Sequence, residues 1–139
     1  MRNSQLYGME MVDISEDNVI VDKSKFFAIR IIKLYKYLNA EKKEYILSKQ
    51  LLRSGTSIGA NVKEAIRGQS KADFYAKMNI SLKEASETEY WLELLFETDY
   101  ISQSQFDSIY GDCKELLKLL TAITKIQKFG KESNSNLQK

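Results

Sequence analysis

Histidine and proline are absent from the 139 residues, cysteine occurs once, and glycine only six times. Without histidine there is no Ser-His-Asp or Cys-His nucleophile, no zinc-protease helix, and none of the Glu-x-x-His pairs that hold metals in ferritin-like bundles. Without proline, and with so little glycine, almost nothing interrupts a helix. The single cysteine, Cys113, cannot form a disulfide within the chain. It falls on an apolar helix face, which suits a small core residue better than a reactive thiol. No apolar run approaches the ~20 residues that span a bilayer, and nothing at the N-terminus resembles a signal peptide. The expectation is a cytoplasmic, non-enzymatic protein with no membrane segment, no cofactor and no small-molecule substrate.

What is present is ordinary globular usage, 43% hydrophobic and 29% charged. That supplies one core and one domain. Alternating apolar and polar residues do not persist beyond a few positions, so strands are not expected. Residues 1–22 are acidic and aperiodic, and read as a flexible leader with a short extended piece at Asn18–Val21. Met9 and Met11 are alternative starts to Met1. The bundle domain is expected at residues 23–129, followed by a disordered tail at 130–139.

Four amphipathic helices fill that domain. The first is expected from Ser24 as N-cap to about Asn39, with Phe27, Ile31, Leu34, Tyr35 and Leu38 on one face. The second is expected from near Glu41 to near Gly68, with Leu47, Leu51, Gly55, Ile58, Val62 and Ile66 inward. Ser70 with Asp73 resembles a capping box and opens the third, which ends near Asp99 and turns Phe74, Met78, Leu82, Ala85, Leu92 and Phe96 inward. Ser102 with Gln105 opens the fourth. Phe106, Ile109, Cys113, Leu116, Leu117, Leu120 and Ile123 then keep a heptad-like spacing to about Lys128. Short connections make these helices antiparallel neighbours in an all-α, up-down four-helix bundle.

Several features bear on function. Gly55 and Gly59 are four apart on the core side of the second helix. Each costs about 1 kcal/mol relative to alanine there, so close approach of a neighbouring backbone is the reading preferred to a ligand lying on bare backbone. No glycine-rich phosphate loop is present, since neither glycine follows a strand. Glu64, Glu84 and Glu87 could suggest a carboxylate metal site, but salt-bridging glutamates explain them better and no metal is expected. Tyr90–Phe96 is apolar nearly all round, so Trp91, Leu94 and Leu95, with Ile80 before them, are candidate oligomer-interface residues. Ser57 and Asn61 turn from the core, towards either water or another subunit.

Charge is segregated along the chain. Residues 23–77 carry thirteen basic residues against four acids, and residues 78–112 carry one lysine against eight acids. Lys42, Lys49, Arg53 and Arg67 form a candidate nucleic-acid-binding stripe opposite the core face of the second helix. The same asymmetry also suits contacts between subunits, which leaves a protein-interaction scaffold without nucleic acid as the alternative.

The segment Ser48-Lys49-Gln50-Leu51-Leu52-Arg53-Ser54-Gly55-Thr56-Ser57-Ile58-Gly59-Ala60-Asn61-Val62-Lys63-Glu64-Ala65 resembles the signature of the bacterial four helix bundle protein family, also called 23S ribosomal RNA intervening-sequence proteins. Ser70–Phe74 and Lys83–Leu92 carry the likeness further, over roughly Asn18 to Lys128 in all. The resemblance implies the bundle fold, a barrel-like homopentamer, and no catalytic residues. A related branch, the accessory variability protein of diversity-generating retroelements, is a basic pentamer that works with RNA and a reverse transcriptase. The resemblance therefore implies RNA or a reverse-transcriptase-type protein as partner. Two departures stand out: Gly59 replaces a proline common in the family, and the acidic third helix makes this chain far less basic than the retroelement branch.

Overall fold

The structure is a computed structural model that describes the backbone of residues 11–137 and the side chains of residues 19–126. It contains four helices: α1 Met11–Ala40, α2 Leu47–Ile66, α3 Lys71–Glu97 and α4 Gln103–Leu137. No strand occurs among the described residues, and no helix among them is long and apolar enough to cross a membrane. The packed pairs are α1–α2, α2–α3, α3–α4 and α4–α1. On α2 and α3, Arg53 meets Glu87 and Glu64 meets Lys77.

The core follows the expected stripes. Phe27, Ile31, Leu38, Leu51, Ile58, Val62, Met78, Ala85, Leu92, Cys113, Leu116 and Leu120 are all fully or almost fully buried. Two expectations at the first helix are corrected. It does not begin at Ser24, and Asn18–Val21 is helical rather than extended. Ser24 lies buried inside the helix with its hydroxyl donating to the Val21 carbonyl at 3.2 Å, and Ile20 is fully buried one turn earlier. An N-cap needs non-helical backbone and an exposed end, and Ser24 has neither. Core packing is therefore already present at Ile20, ahead of Ser24. The expected leader and the alternative starts Met1 and Met9 lie at least in part outside the described residues. At the other end α4 continues past Gly130 to Leu137, with no proline there to stop it. Residues 138–139 of the expected tail are outside the described residues.

The second helix starts later than Glu41. Lys43 takes a left-handed backbone (φ 56°), which ends α1, and the Glu44 N–H donates back to the Leu38 carbonyl at 3.0 Å. Glu44 then folds its carboxylate onto the next helix, accepting from the N–H groups of Ile46, Leu47 and Ser48 at 3.0, 3.1 and 2.7 Å. Both capping pairs read from the sequence are present. The Asp73 N–H donates to Ser70 Oγ at 3.1 Å. At α4 the bonding is reciprocal: Gln105 N–H to Ser102 Oγ, and Ser102 N–H to Gln105 Oε1. Ile66, expected inward, is 39% exposed because α2 ends there.

Small residues let α2 sit close to both neighbours. A Cβ on Gly55 would lie 2.8 Å from two carbons of Ile31, and one on Gly59 would lie 3.3 Å from the Ser24 carbonyl oxygen. Both glycines thus face α1 at close range. On the α3 side, Thr88 Oγ1 lies 2.8 Å from both Ser54 Oγ and the Glu84 carbonyl. Ser81 Oγ donates to the Ile58 carbonyl at 2.9 Å. These hydroxyls are buried without being left unpaired.

Candidate functional site

The residues of the basic stripe are spread from the α1–α2 turn to the end of α2. Lys42 lies in the turn between α1 and α2 rather than on α2. Its place on a helical wheel assumed that the helix began at Glu41. Lys49 is exposed on the first turn of α2, whereas Arg67 stands at the far end, about 27 Å away at 1.5 Å per residue. Arg67 shares a shallow groove there with Glu64, Asp73 and Lys77. Arg53, between them, is held by α3. Its guanidinium reaches Glu84 Oε2 at 3.3 Å and pairs with Glu87 as well.

Arg53 is one case of a general pattern. The ion pairs Lys23–Glu115 and Arg30–Asp112 join α1 to α4, Lys77–Glu64 joins α3 to α2, and Lys114–Glu89 joins α3 to α4. The charge segregated along the sequence is thus brought face to face between neighbouring helices of one chain. All these pairs are partly exposed, and each contributes no more than ~1 kcal/mol. The three glutamates weighed as a metal site go to cations instead: Glu84 and Glu87 to Arg53, and Glu64 to Lys77.

Three lysines stand together at the α1–α2 turn and the start of α2. None of the ion pairs among the described residues uses Lys42, Lys43 or Lys49. Beside them Tyr45 and Ile46 are 49% and 76% exposed. The corner therefore combines free positive charge with an exposed ring.

The candidate interface residues on α3 separate into two groups. Leu95 is fully buried in the core of its own chain, three residues after Leu92 on the same stripe, so it cannot serve another subunit. Ile80 is exposed, as is Tyr90, while Leu94 is half-buried and Trp91 is half-buried against the core of its own chain. The Trp91 ring packs against Tyr90, with centroids 5.2 Å apart, and its Nε1 has no acceptor among the described residues. Ser57 and Asn61 are satisfied along α2 itself, through the carbonyls of Arg53 and Ser57.

A further apolar surface lies on α1. Phe26 is 60% exposed, and Ile29 and Ile32 are also exposed. Phe26 and Ile29, with Leu34, Tyr37, Ile101 and Ile109, line a groove of about 610 Å³ between α1 and α4. The sequence signal was available. Phe26–Leu38 is as apolar all round as Tyr90–Phe96, yet only Phe27, Ile31, Leu34, Tyr35 and Leu38 have a place in the core stripe.

Two side chains near the α3–α4 seam hold their protons. Burial pushes the Cys113 thiol up to about 12, with Glu89 adding to the effect. Its Sγ lies 3.5 Å from the Ala85 carbonyl. The Tyr110 hydroxyl is raised well above the usual phenol range, first by its 2.7 Å hydrogen bond to Glu93, then by desolvation and the charge of Glu89. Neither group is poised for chemistry near neutral pH.

Comparison with solved structures finds a crystal structure from Bacteroides thetaiotaomicron VPI-5482, of a protein with unknown function from the S23 ribosomal protein family. The two are 60% identical, the match covers 79% of this chain and 98% of that one, and the TM-score is 0.78. No curated protein matches. The family described as 23S rRNA-intervening sequence protein matches residues 16–122. With most of its length and its four-helix all-α fold accounted for, the chain belongs to the 23S rRNA-intervening sequence protein family.

Proposed function

We propose that this chain is a cytoplasmic, non-enzymatic module, an antiparallel up-down bundle that assembles with copies of itself. The family resemblance implies five copies. The observation that carries this reading is the outer face of α1, where Phe26, Ile29 and Ile32 stand in water in a single chain. An apolar cluster of this kind marks an interaction surface rather than the scattered exposure every protein shows. Opposed apolar surface on α3, at Ile80 and Tyr90, supports the same reading. Assembly that buries these faces ties folding to protein concentration. The melting temperature is expected to fall on hundredfold dilution; an unchanged value would count against assembly.

RNA, or a nucleoprotein such as a reverse-transcriptase complex, is the second part of the reading. What favours it is the corner of Lys42, Lys43 and Lys49 with the exposed Tyr45 ring. Lysines there suit phosphate, and the ring suits an unpaired base. Arg53, engaged by Glu84 and Glu87, is a lesser contributor. Titration of a structured RNA at rising salt tests this. Lys42→Glu with Lys49→Glu should weaken binding and flatten the salt slope, whereas Arg53→Glu should do less. Absence of binding at low salt would leave the alternative, a protein-interaction scaffold.

A further inference from the structure

We infer that the corner of Lys42, Lys43, Lys49 and Tyr45 takes RNA as an unpaired strand rather than a duplex, and that Glu44 is the positioning residue that readies it. This rests on the RNA reading above and adds the form of RNA accepted and what holds the corner in place. Tyr45 stands between two pinned neighbours. On one side, just after the left-handed Lys43, the Glu44 N–H donates to the Leu38 carbonyl at 3.0 Å. On the other, the Ile46 N–H donates to the Glu44 carboxylate at 3.0 Å. The same carboxylate accepts from Leu47 and Ser48, and the Glu44 carbonyl accepts from Ser48 Oγ at 2.8 Å. Glu44 is 8% exposed, Tyr45 49% and Ile46 76%. One buried residue thus clips the backbone on both sides of an exposed ring.

The mix of groups favours a splayed base. Ile46 already has helical backbone (φ −100°, ψ −59°), so Lys49, three residues on, shares its face. An A-form duplex keeps its bases stacked inside and offers phosphates and riboses. Seating it here would press Tyr45 and Ile46 onto phosphates and strip their water without replacing it. An unpaired strand can lay a base on the ring and the isoleucine while its phosphates meet the lysines. Because the backbone is fixed on either side of Tyr45, the ring loses little freedom on stacking. Glu44 also adds no acid to this surface, since its carboxylate is turned onto the N–H groups at the positive end of α2. Glu41 is the exposed acid of the turn, against three lysines.

Fluorescence anisotropy at one low salt concentration tests this, with an unstructured single-stranded RNA and an RNA duplex of equal length. The parent should bind the single strand more tightly. Tyr45→Ala should loosen the single strand by about tenfold and leave the duplex unchanged, and Tyr45→Phe should restore it. Glu44→Ala separates positioning from charge by sign. It removes an acid from beside the lysines, so charge alone would tighten binding to both forms. Loss of a positioning residue should instead weaken the single strand and spare the duplex. Glu44→Gln, which keeps an acceptor oxygen, should fall between. Equal affinity of the parent for the two forms, a Tyr45→Ala variant that binds like the parent, or a Glu44→Ala variant that binds both more tightly would overturn the inference. A parent that binds neither form would overturn the RNA reading beneath it. Far-UV circular dichroism checks that the helices persist, and if Glu44→Ala loses them, Glu44→Gln carries the comparison.

Discussion

Gly55 and Gly111 are both helical glycines, and their surroundings give them opposite roles. At Gly55 an added methyl meets the β-branched Ile31, whose stiff side chain cannot swing aside. Gly55→Ala should destabilise by about 1–3 kcal/mol despite alanine's better helix propensity. At Gly111 an added Cβ meets nothing within 4 Å. Gly111→Ala should therefore stabilise by about 1 kcal/mol. Urea unfolding of the two variants checks both signs. Cys113 gives a pH dependence. Its thiol ionises near 9.0 when unfolded but is pushed up to about 12 when folded. Above about pH 9 the folded state binds the extra proton, so this contribution to stability is complete below that pH and is lost as pH rises. Tyr110, raised in the same direction, adds to the loss. Melting temperatures of the parent and Cys113→Ala, from about pH 8 to about pH 11, should converge as pH rises. A constant gap would show that the thiol ionises alike in both states.

At the scale of the element, local chemistry governed the helix starts. Ser70 and Ser102 were legible because a capping box needs only two residue types three apart, and both caps are formed. The α1–α2 turn was not legible, because its devices are unusual. A lysine, not a glycine, takes the left-handed position, and a glutamate outside the helix caps its N-terminus. Glu44→Ala should therefore cost about 1–2 kcal/mol, comparable to losing a good N-cap, with Glu44→Gln costing less. Thermal unfolding measures both, and equal losses would show that the carboxylate charge is unimportant there. The early start of α1 was hidden by composition. Acidic residues at 10–22 look like a leader, yet buried Ile20 and Ser24 show that the helix already packs at its Ile20 turn. The apolar stripes fixed the core well, since period alone decides which residues point inward. The same wheel misassigned Leu95, because a segment apolar all round does not mark which side meets its own chain.

For the whole molecule, the segregated charge has a use within the chain. Basic residues of α1 and α2 meet acids of α4 and α3 through Arg30–Asp112 and Arg53–Glu84, so the net asymmetry overstated the basic surface left for a polyanion. Of the stripe read along α2, Lys42 lies in the turn before the helix and Arg53 is engaged by α3. Surface patches depend on which helices become neighbours, and no helical wheel carries that information. The apolar outer faces of α1 and α3 remain the feature with no partner inside one chain. Light scattering of the purified chain at micromolar concentration tests their role most directly. The expected mass is a multiple of 16.1 kDa, five-fold if the family resemblance holds in full. A mass of 16.1 kDa with the helices intact would mean that these faces stay in water, and the self-assembly reading would be wrong.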